Sequence, residues 1–106
     1  MVVRVVQSTA ASAAVILPEI VLDPLEADQQ VQWSINKSGN GTSTFVVEYT
    51  LDKILDADVS ALWITEMSAT DTTAATMSHP ASGIRLNISA ASGNNQVGFR
   101  VLQTGT

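Results

Sequence analysis

The first candidates for chemistry in this sequence are a single histidine and the serines and acids that could act with it. The chain has one histidine and no cysteine among its 106 residues. That histidine, His79, stands in the polar segment Met77-Ser78-His79-Pro80, and the sequence contains no G-x-S-x-G nucleophile elbow. Any Ser–His–Asp triad would need His79 as its base. We therefore expect a surface or turn histidine, and a chain that is not an enzyme.

Two groups of acidic residues invite a metal-binding or glycosidase hypothesis. The groups are Asp23, Glu26 and Asp28, followed by Asp52, Asp56 and Asp58. Neither has the spacing of an EF-hand loop, and a glycosidase needs two carboxylates across a sugar-sized cleft. We expect both groups to be solvated loop charges, so no metal and no cofactor is predicted. A structural Ca²⁺ ion at Asp56 and Asp58 is the one metal site left open.

The aromatic residues could form a stacking surface for sugars or bases. They are Trp33, Phe45, Tyr49, Trp63 and Phe99. Each falls on an alternating position of a predicted strand, which favours packing in the core. Trp63 is the exception, because its neighbours Leu62 and Ile64 are predicted to face the core instead.

Composition narrows the classes of partner. The chain is 45% hydrophobic and 14% charged, with a net charge of −5. Its basic residues are scattered along the sequence, whereas nucleic acids and anionic membranes are bound by clustered positive charge. No apolar run is long enough for a transmembrane helix, and the first residues do not build a signal peptide. The surplus of apolar residues favours contact with a protein partner.

The candidate histidine, acidic and aromatic side chains are positioned by short runs of alternating apolar residues, which are rich in Val, Ile and Thr. The predicted strands cover residues 2–6, 14–22 with a break at Pro18, 30–36, 43–50, 61–67, 74–77, 83–90 and 96–103. One helical turn is predicted over 51–60. This pattern indicates an all-β protein, an antiparallel β-sandwich of about seven or eight strands, with a jelly roll as the preferred topology.

Two turn signals predict hairpins. Residues 38–41 contain Asn-Gly, the strongest short hairpin signal, and residues 91–95 contain Gly-Asn. We therefore expect one hairpin over 30–50 and a second over 83–103.

The sequence changes character near residue 28. This divides it into an N-terminal arm or edge strands, residues 1–28, and a β-sandwich domain, residues 29–106. The arm either adds one or two strands to its own sandwich or reaches a neighbouring subunit as an added strand. The residues predicted to lie in an interface are Val2, Val3, Val5, Val6, Val15, Ile16, Leu17 and, outside the arm, Trp63.

From residue 44 onward four segments of the sequence form a recognisable pattern. They are Phe45-Val46-Val47-Glu48-Tyr49-Thr50-Leu51-Asp52, Leu62-Trp63, Gly83-Ile84-Arg85-Leu86-Asn87-Ile88 and Phe99-Arg100-Val101-Leu102-Gln103-Thr104-Gly105. In these segments the sequence resembles small virion proteins of tailed bacteriophages. Lys53 stands where the pattern usually has a second Asp, and residues 1–28 match no pattern of this group.

The resemblance implies a capsid decoration, or cement, protein of the jelly-roll type. Such a protein binds the outer surface of the assembled capsid as a dimer or trimer and contacts the major capsid protein. It has no catalytic residues, is made in the cytoplasm of the bacterial host and resides in the virion. Two alternatives remain. One is a structural component of a phage head or tail fibre, and the other is a carbohydrate-binding module with Trp63 exposed beside a groove.

Overall fold

The computed structural model describes residues 3–23, 30–52, 61–77 and 80–104. Across these ranges the secondary structure is entirely β. The strands are β1 (Val3–Ala11), β2 (Val15–Ile16), β3 (Ile20–Val21), β4 (Gln30–Ser38), β5 (Thr42–Thr50), β6 (Ile64–Ala69), β7 (Thr73–Met77), β8 (Gly83–Ser92) and β9 (Asn95–Thr104). None of these ranges holds a helix that could cross a membrane. The predicted all-β class is confirmed.

The strands form two antiparallel sheets with apolar faces packed together. Sheet A has the order β1-β9-β4-β7, and sheet B has the order β2-β8-β5-β6, with β3 also pairing with β8. Strands β2 and β3 flank Pro18, which has no N–H to donate, so they are two halves of one interrupted strand. Counted in this way, each sheet has four strands.

This order is that of a jelly roll, as predicted. The chain behaves as one long hairpin that bends back between β5 and β6. Its successive partners are β5 with β6, β4 with β7, the β2–β3 strand with β8, and β1 with β9. Successive strand pairs of this long hairpin lie alternately in sheet B and sheet A.

Both predicted hairpins are wrong, although the turns occur where the glycines indicated. Strands β4 and β5 lie in different sheets, and so do β8 and β9. Instead β4 pairs with β9 and β5 pairs with β8. Gly39 and Gly93 do adopt positive φ, at +102° and +78°. A turn signal locates the end of a strand, but the apolar faces of distant strands decide which strands pair.

The core lies between the sheets and follows the predicted alternation. The buried apolar residues of the long strands are Val31, Trp33, Ile35, Phe45, Val47, Ile84, Leu86, Ile88, Val97, Phe99 and Val101. The prediction that Leu62 and Ile64 face the core is wrong, because they are 69% and 36% exposed. Strand β6 is the outer strand of sheet B, and its register with β5 shifts between Val47 and Glu48. The predicted helical turn falls mainly on residues 53–60, outside the described ranges.

Residues 3–23 form one edge of each sheet. Strand β1 pairs with β9 along its whole length, from Val3 opposite Gln103 to Ala11 opposite Asn95. Leu17 and Ile20 are buried in the core. In the single chain this segment therefore adds strands to its own sandwich, the first of the two alternatives. The second alternative, in which the segment adds a strand to a neighbouring subunit, stays a hypothesis.

Three connections between the sheets meet at the side chain of Asn95, which is 3% exposed. Its Nδ2 donates to the carbonyl oxygens of Ala11 at 2.9 Å, Ser92 at 3.2 Å and Thr42 at 3.3 Å. These carbonyls belong to the ends of β1 and β8 and the start of β5. A single amide therefore ties together the corner where the chain crosses from one sheet to the other.

Candidate interaction surfaces

The residues considered for catalysis or metal binding are only partly described. His79, Glu26, Asp56 and Asp58 lie outside the described ranges, as does Asp28. Asp52 has a structural contact, since its Oδ2 accepts a hydrogen bond of 2.7 Å from the amide of Leu62. Across the described part of the chain, no group of three or more His, Asp or Glu residues is placed to hold a metal ion.

The predicted interface residues are distributed over three environments. Val3 and Val5 are half-buried against the core, and Leu17 is 6% exposed within it. Val2 lies outside the described ranges. Val6, at 61% exposure, faces outward from β1. The structure therefore does not bring these arm residues together as one patch.

Two strips of exposed apolar side chains border sheet B instead. The first, here called the β2–β3 edge, comprises Val15, Ile16 and Val21, exposed by 38%, 50% and 43%. The second, the β6 edge, lies on the opposite side of the sheet. It comprises Leu51, Leu62, Ile64 and Met67. The sequence predicted Val15 and Ile16 of the first edge as interface residues. It did not predict the second edge, because the outer position of β6 depends on strand pairing.

Trp63 lies beneath a charged pair on sheet B. The guanidinium carbon of Arg85 is 4.2 Å from the centroid of the Trp63 ring. Arg85 also donates through Nε to Glu48 Oε1 at 2.8 Å, and the two residues are directly opposite in β8 and β5. Both side chains are largely buried, at 17% and 14% exposure. One face of the indole is therefore covered by a cation that is itself held in place.

The outer face of sheet A has a groove of about 700 Å³. We call it the arginine groove, and its outward-facing lining residues include Arg4, Val6, Gln32, Ser34, Arg100 and Leu102. Two rows of cross-strand neighbours build it. Arg4 is opposite Leu102, which is opposite Gln32, while Val6 is opposite Arg100, which is opposite Ser34.

Charge is segregated between the sheets. Strands β1, β4, β7 and β9 contain no Asp or Glu at all, although the chain has ten acidic residues. No ion pair or hydrogen bond joins the side chain of Arg4 or Arg100 to any residue within the four described ranges. Sequence analysis missed this site because the two arginines stand at opposite ends of the chain. The signal was the absence of acids from four separate strands.

Comparison with known proteins bears on the fold. No family model matches the chain, and no curated protein matches it. Among solved structures, the SPBc2 prophage-derived protein YomS is similar with a TM-score of 0.59 and 9% sequence identity. The match covers 96% of this chain and 95% of YomS. Its identity is low enough that the similarity shows a shared fold alone.

A second structure, of Bacillus endospore appendages that form disulfide-linked pili, is a weaker match. It has a TM-score of 0.36 and 16% identity, over 99% of this chain and 89% of that one. That score is too low to support a structural argument. The chain thus has a jelly-roll β-sandwich whose overall fold is similar to that of YomS.

Proposed function

We propose that this chain is a bacteriophage structural protein that decorates the capsid. In this proposal it binds the outer surface of the assembled shell and stabilises contacts between major capsid protein subunits. The observation that carries the proposal is the position of the two apolar edges on opposite sides of sheet B. A protein that cements two subunits must touch both, so it needs two separate contact surfaces on one rigid body.

Each apolar edge contributes a modest binding free energy, which is enough for a protein that binds a capsid in many copies. Burying a Leu or Ile side chain contributes about 1.5–3 kcal/mol, so each edge supplies a modest contact. A protein that binds only the assembled state stabilises that state by mass action. Many copies acting together can therefore strengthen a shell without any single tight contact.

Two further features support this proposal. The sequence of residues 45–52 and 83–88 resembles small virion proteins, and the fold is similar to that of a prophage-derived protein. We propose a non-enzymatic role without a cofactor, with the major capsid protein as partner and the virion as location. Nucleic acid and membrane have no part in the proposal.

Strand β1 offers a route to a homo-oligomer. It is nine residues long and, among the strands that the structure describes, has a neighbour on one side only. An outer strand presents unpaired N–H and C=O groups that a second chain can bind. We propose that copies of this chain associate along β1, and sedimentation equilibrium would distinguish a dimer from a trimer.

The alternatives make different demands. A fibre component would form an elongated trimer and would not bind empty capsids. A carbohydrate-binding module would stack a sugar on Trp63, but the guanidinium of Arg85 already covers one face of that ring. A glycan array with wild-type protein and Trp63→Ala would detect such binding.

The direct test is co-sedimentation with expanded, undecorated capsids of the phage whose genome encodes the chain, followed by thermal challenge. We expect saturable binding and a higher temperature of capsid disruption. Leu62→Ser on the β6 edge and Ile16→Ser on the β2–β3 edge should each reduce the stabilisation. Ala90→Ser, exposed on the central strand β8, is the matched control. Absence of binding at tens of micromolar protein would refute the proposal.

A further inference from the structure

We propose that the arginine groove binds an extended, carboxylate-rich segment of a partner protein, with Arg4 and Arg100 as its two anion-binding side chains. The identity of the partner rests on the proposed function, in which it is an exposed acidic segment of the capsid shell. The existence of the site does not depend on that function.

The spacing of the two arginines matches an extended peptide. Arg4 is opposite Leu102, and Arg100 is opposite Val6, so the arginines are diagonal neighbours across the β1–β9 pair. Diagonal neighbours on one face of a sheet are about 7–8 Å apart. Alternate residues of an extended strand are separated by about 6.5–7 Å and point to the same side. Two acidic residues at positions i and i+2 would therefore meet one guanidinium each.

Within the described residues, no side chain binds the guanidinium of either arginine. Arg85, by comparison, is engaged with Glu48 and Trp63. Arg4 and Arg100 are exposed on the outer face and have no acidic neighbour on the strands of sheet A. A guanidinium binds a carboxylate through charge-assisted hydrogen bonds, often two in parallel. The chain has a net charge of −5, so most of its surface would repel an acidic segment of a partner. The face of sheet A without acidic residues is therefore the face on which such a segment would bind.

The rest of the groove suits a polypeptide better than a nucleic acid. Gln32, Ser34 and Thr76 supply side chains that can bond a peptide backbone, and Val6 and Leu102 lie between the arginines. No aromatic residue of β1, β4, β7 or β9 points outward, since Trp33 and Phe99 are buried. Single-stranded nucleic acids need stacking surfaces and longer tracks of positive charge.

A titration of the ¹⁵N-labelled chain followed by NMR tests the site. The probe is the peptide Glu-Ser-Glu-Ser-Glu, compared with Glu-Glu-Glu-Ser-Ser and Gln-Ser-Gln-Ser-Gln. We expect the alternating acidic peptide to bind most tightly, with shifts confined to sheet A and an affinity that falls with added salt. Scattered shifts, no shifts at millimolar peptide, or tighter binding of an oligothymidylate would overturn the proposal.

Charge variants separate the groove from general electrostatics. The double variant Arg4→Gln/Arg100→Gln should weaken peptide binding by about tenfold, because it removes both charge-assisted contacts. Lys37→Gln removes a positive charge from β4 outside the groove lining and should change the affinity by less than about threefold. Equal losses in both variants, with unchanged unfolding transitions, would contradict the assignment.

The same variants in the capsid assay distinguish this inference from the proposed function. If wild-type protein binds capsids and the double arginine variant binds equally well, the groove assignment to the shell fails while the decorating function stands. If wild-type protein binds the alternating peptide but no capsid, the decorating function fails and the groove remains an acidic-peptide site.

Discussion

Asp23 and Gln103, eighty residues apart in sequence, are joined by two reciprocal hydrogen bonds. The amide of Asp23 donates to Gln103 Oε1 at 2.9 Å, and Gln103 Nε2 donates to the Asp23 carbonyl at 2.8 Å. Gln103 is 1% exposed and stands opposite both Val3 and Val31 in sheet A. Its side-chain amide therefore bonds both the N–H and the C=O of Asp23, as the backbone of a paired strand residue would. These two bonds connect the end of the N-terminal segment to β9.

Replacing Gln103 by Ala should lower the free energy of unfolding by about 1–3 kcal/mol, since both hydrogen bonds to the Asp23 backbone are lost at a partly buried site. Urea denaturation measures this. Gln96→Ala, an exposed glutamine of the same strand, should cost less than about 0.5 kcal/mol. Gln103→Glu should be most destabilising at neutral pH, where the carboxylate cannot donate to the Asp23 carbonyl. Its deficit relative to wild type should shrink as the carboxyl is protonated, and a deficit independent of pH would contradict this.

Removing the Asn95 amide should loosen the corner at which the three connections meet. Asn95→Ala loses three carbonyl contacts, and we expect about 1–3 kcal/mol of destabilisation because the hydrogen bond to the Ala11 carbonyl is buried. Asn94→Ala is the matched control, since the neighbouring side chain is exposed. Hydrogen exchange should show the loss at the ends of β1, β5 and β8. Similar stabilities of the two variants would disprove the role given to Asn95.

Gly39 should not tolerate a side chain. Its φ is +102°, and an added Cβ would lie 2.4 Å from the backbone oxygen of Asn94. Gly39→Ala should therefore cost about 2 kcal/mol or more, from strain and forced displacement of the adjacent connection. Gly98→Ala adds the same methyl group to β9 with its nearest neighbour at 3.8 Å. Thermal unfolding should show a clear decrease in Tm for the first variant and almost none for the second.

Because Arg85 contacts both Glu48 and Trp63, removing the charge of Arg85 alone should lower the free energy of unfolding substantially. Arg85→Gln leaves the Glu48 carboxylate largely buried without its cation, which should cost about 3 kcal/mol. Adding Glu48→Gln should restore part of that loss, and a double-mutant cycle gives the coupling energy. Trp63 fluorescence should change in both variants that lack Arg85. Additive effects of the two substitutions would show that the pair is not coupled.

Much of the fold could be predicted because alternation along a strand is a local property. Val31, Trp33 and Ile35 alternate with polar residues and are buried as expected. Strand pairing is not local. The Asn-Gly sequence after β4 located a turn, but the partner of β4 proved to be β9, which the inward faces of distant strands select.

The functional surfaces were harder to predict for the same reason. Arg4 and Arg100 become neighbours only through the β1–β9 register, and Ile64 and Met67 are exposed because β6 is an outer strand. The buried amides did leave a signal. Asn95 and Gln103 share the inward parity of Val97, Phe99 and Val101 in β9. A polar residue on an inward position marks a tertiary hydrogen bond that no local pattern specifies.

The strand order has a consequence for the newly made chain. Strands β8 and β9 are interior strands of the two sheets and are synthesised after β1–β7, and β9 lies between β1 and β4. While the ribosome is still translating the region before residue 83, β1 has no partner and β5 has only β6. Neither sheet can be completed before the residues of β8 and β9, up to residue 104, have been translated. During that interval, the unpaired edges of β1, β4 and β5 in one nascent chain are open to β8 and β9 of another chain on the same polysome.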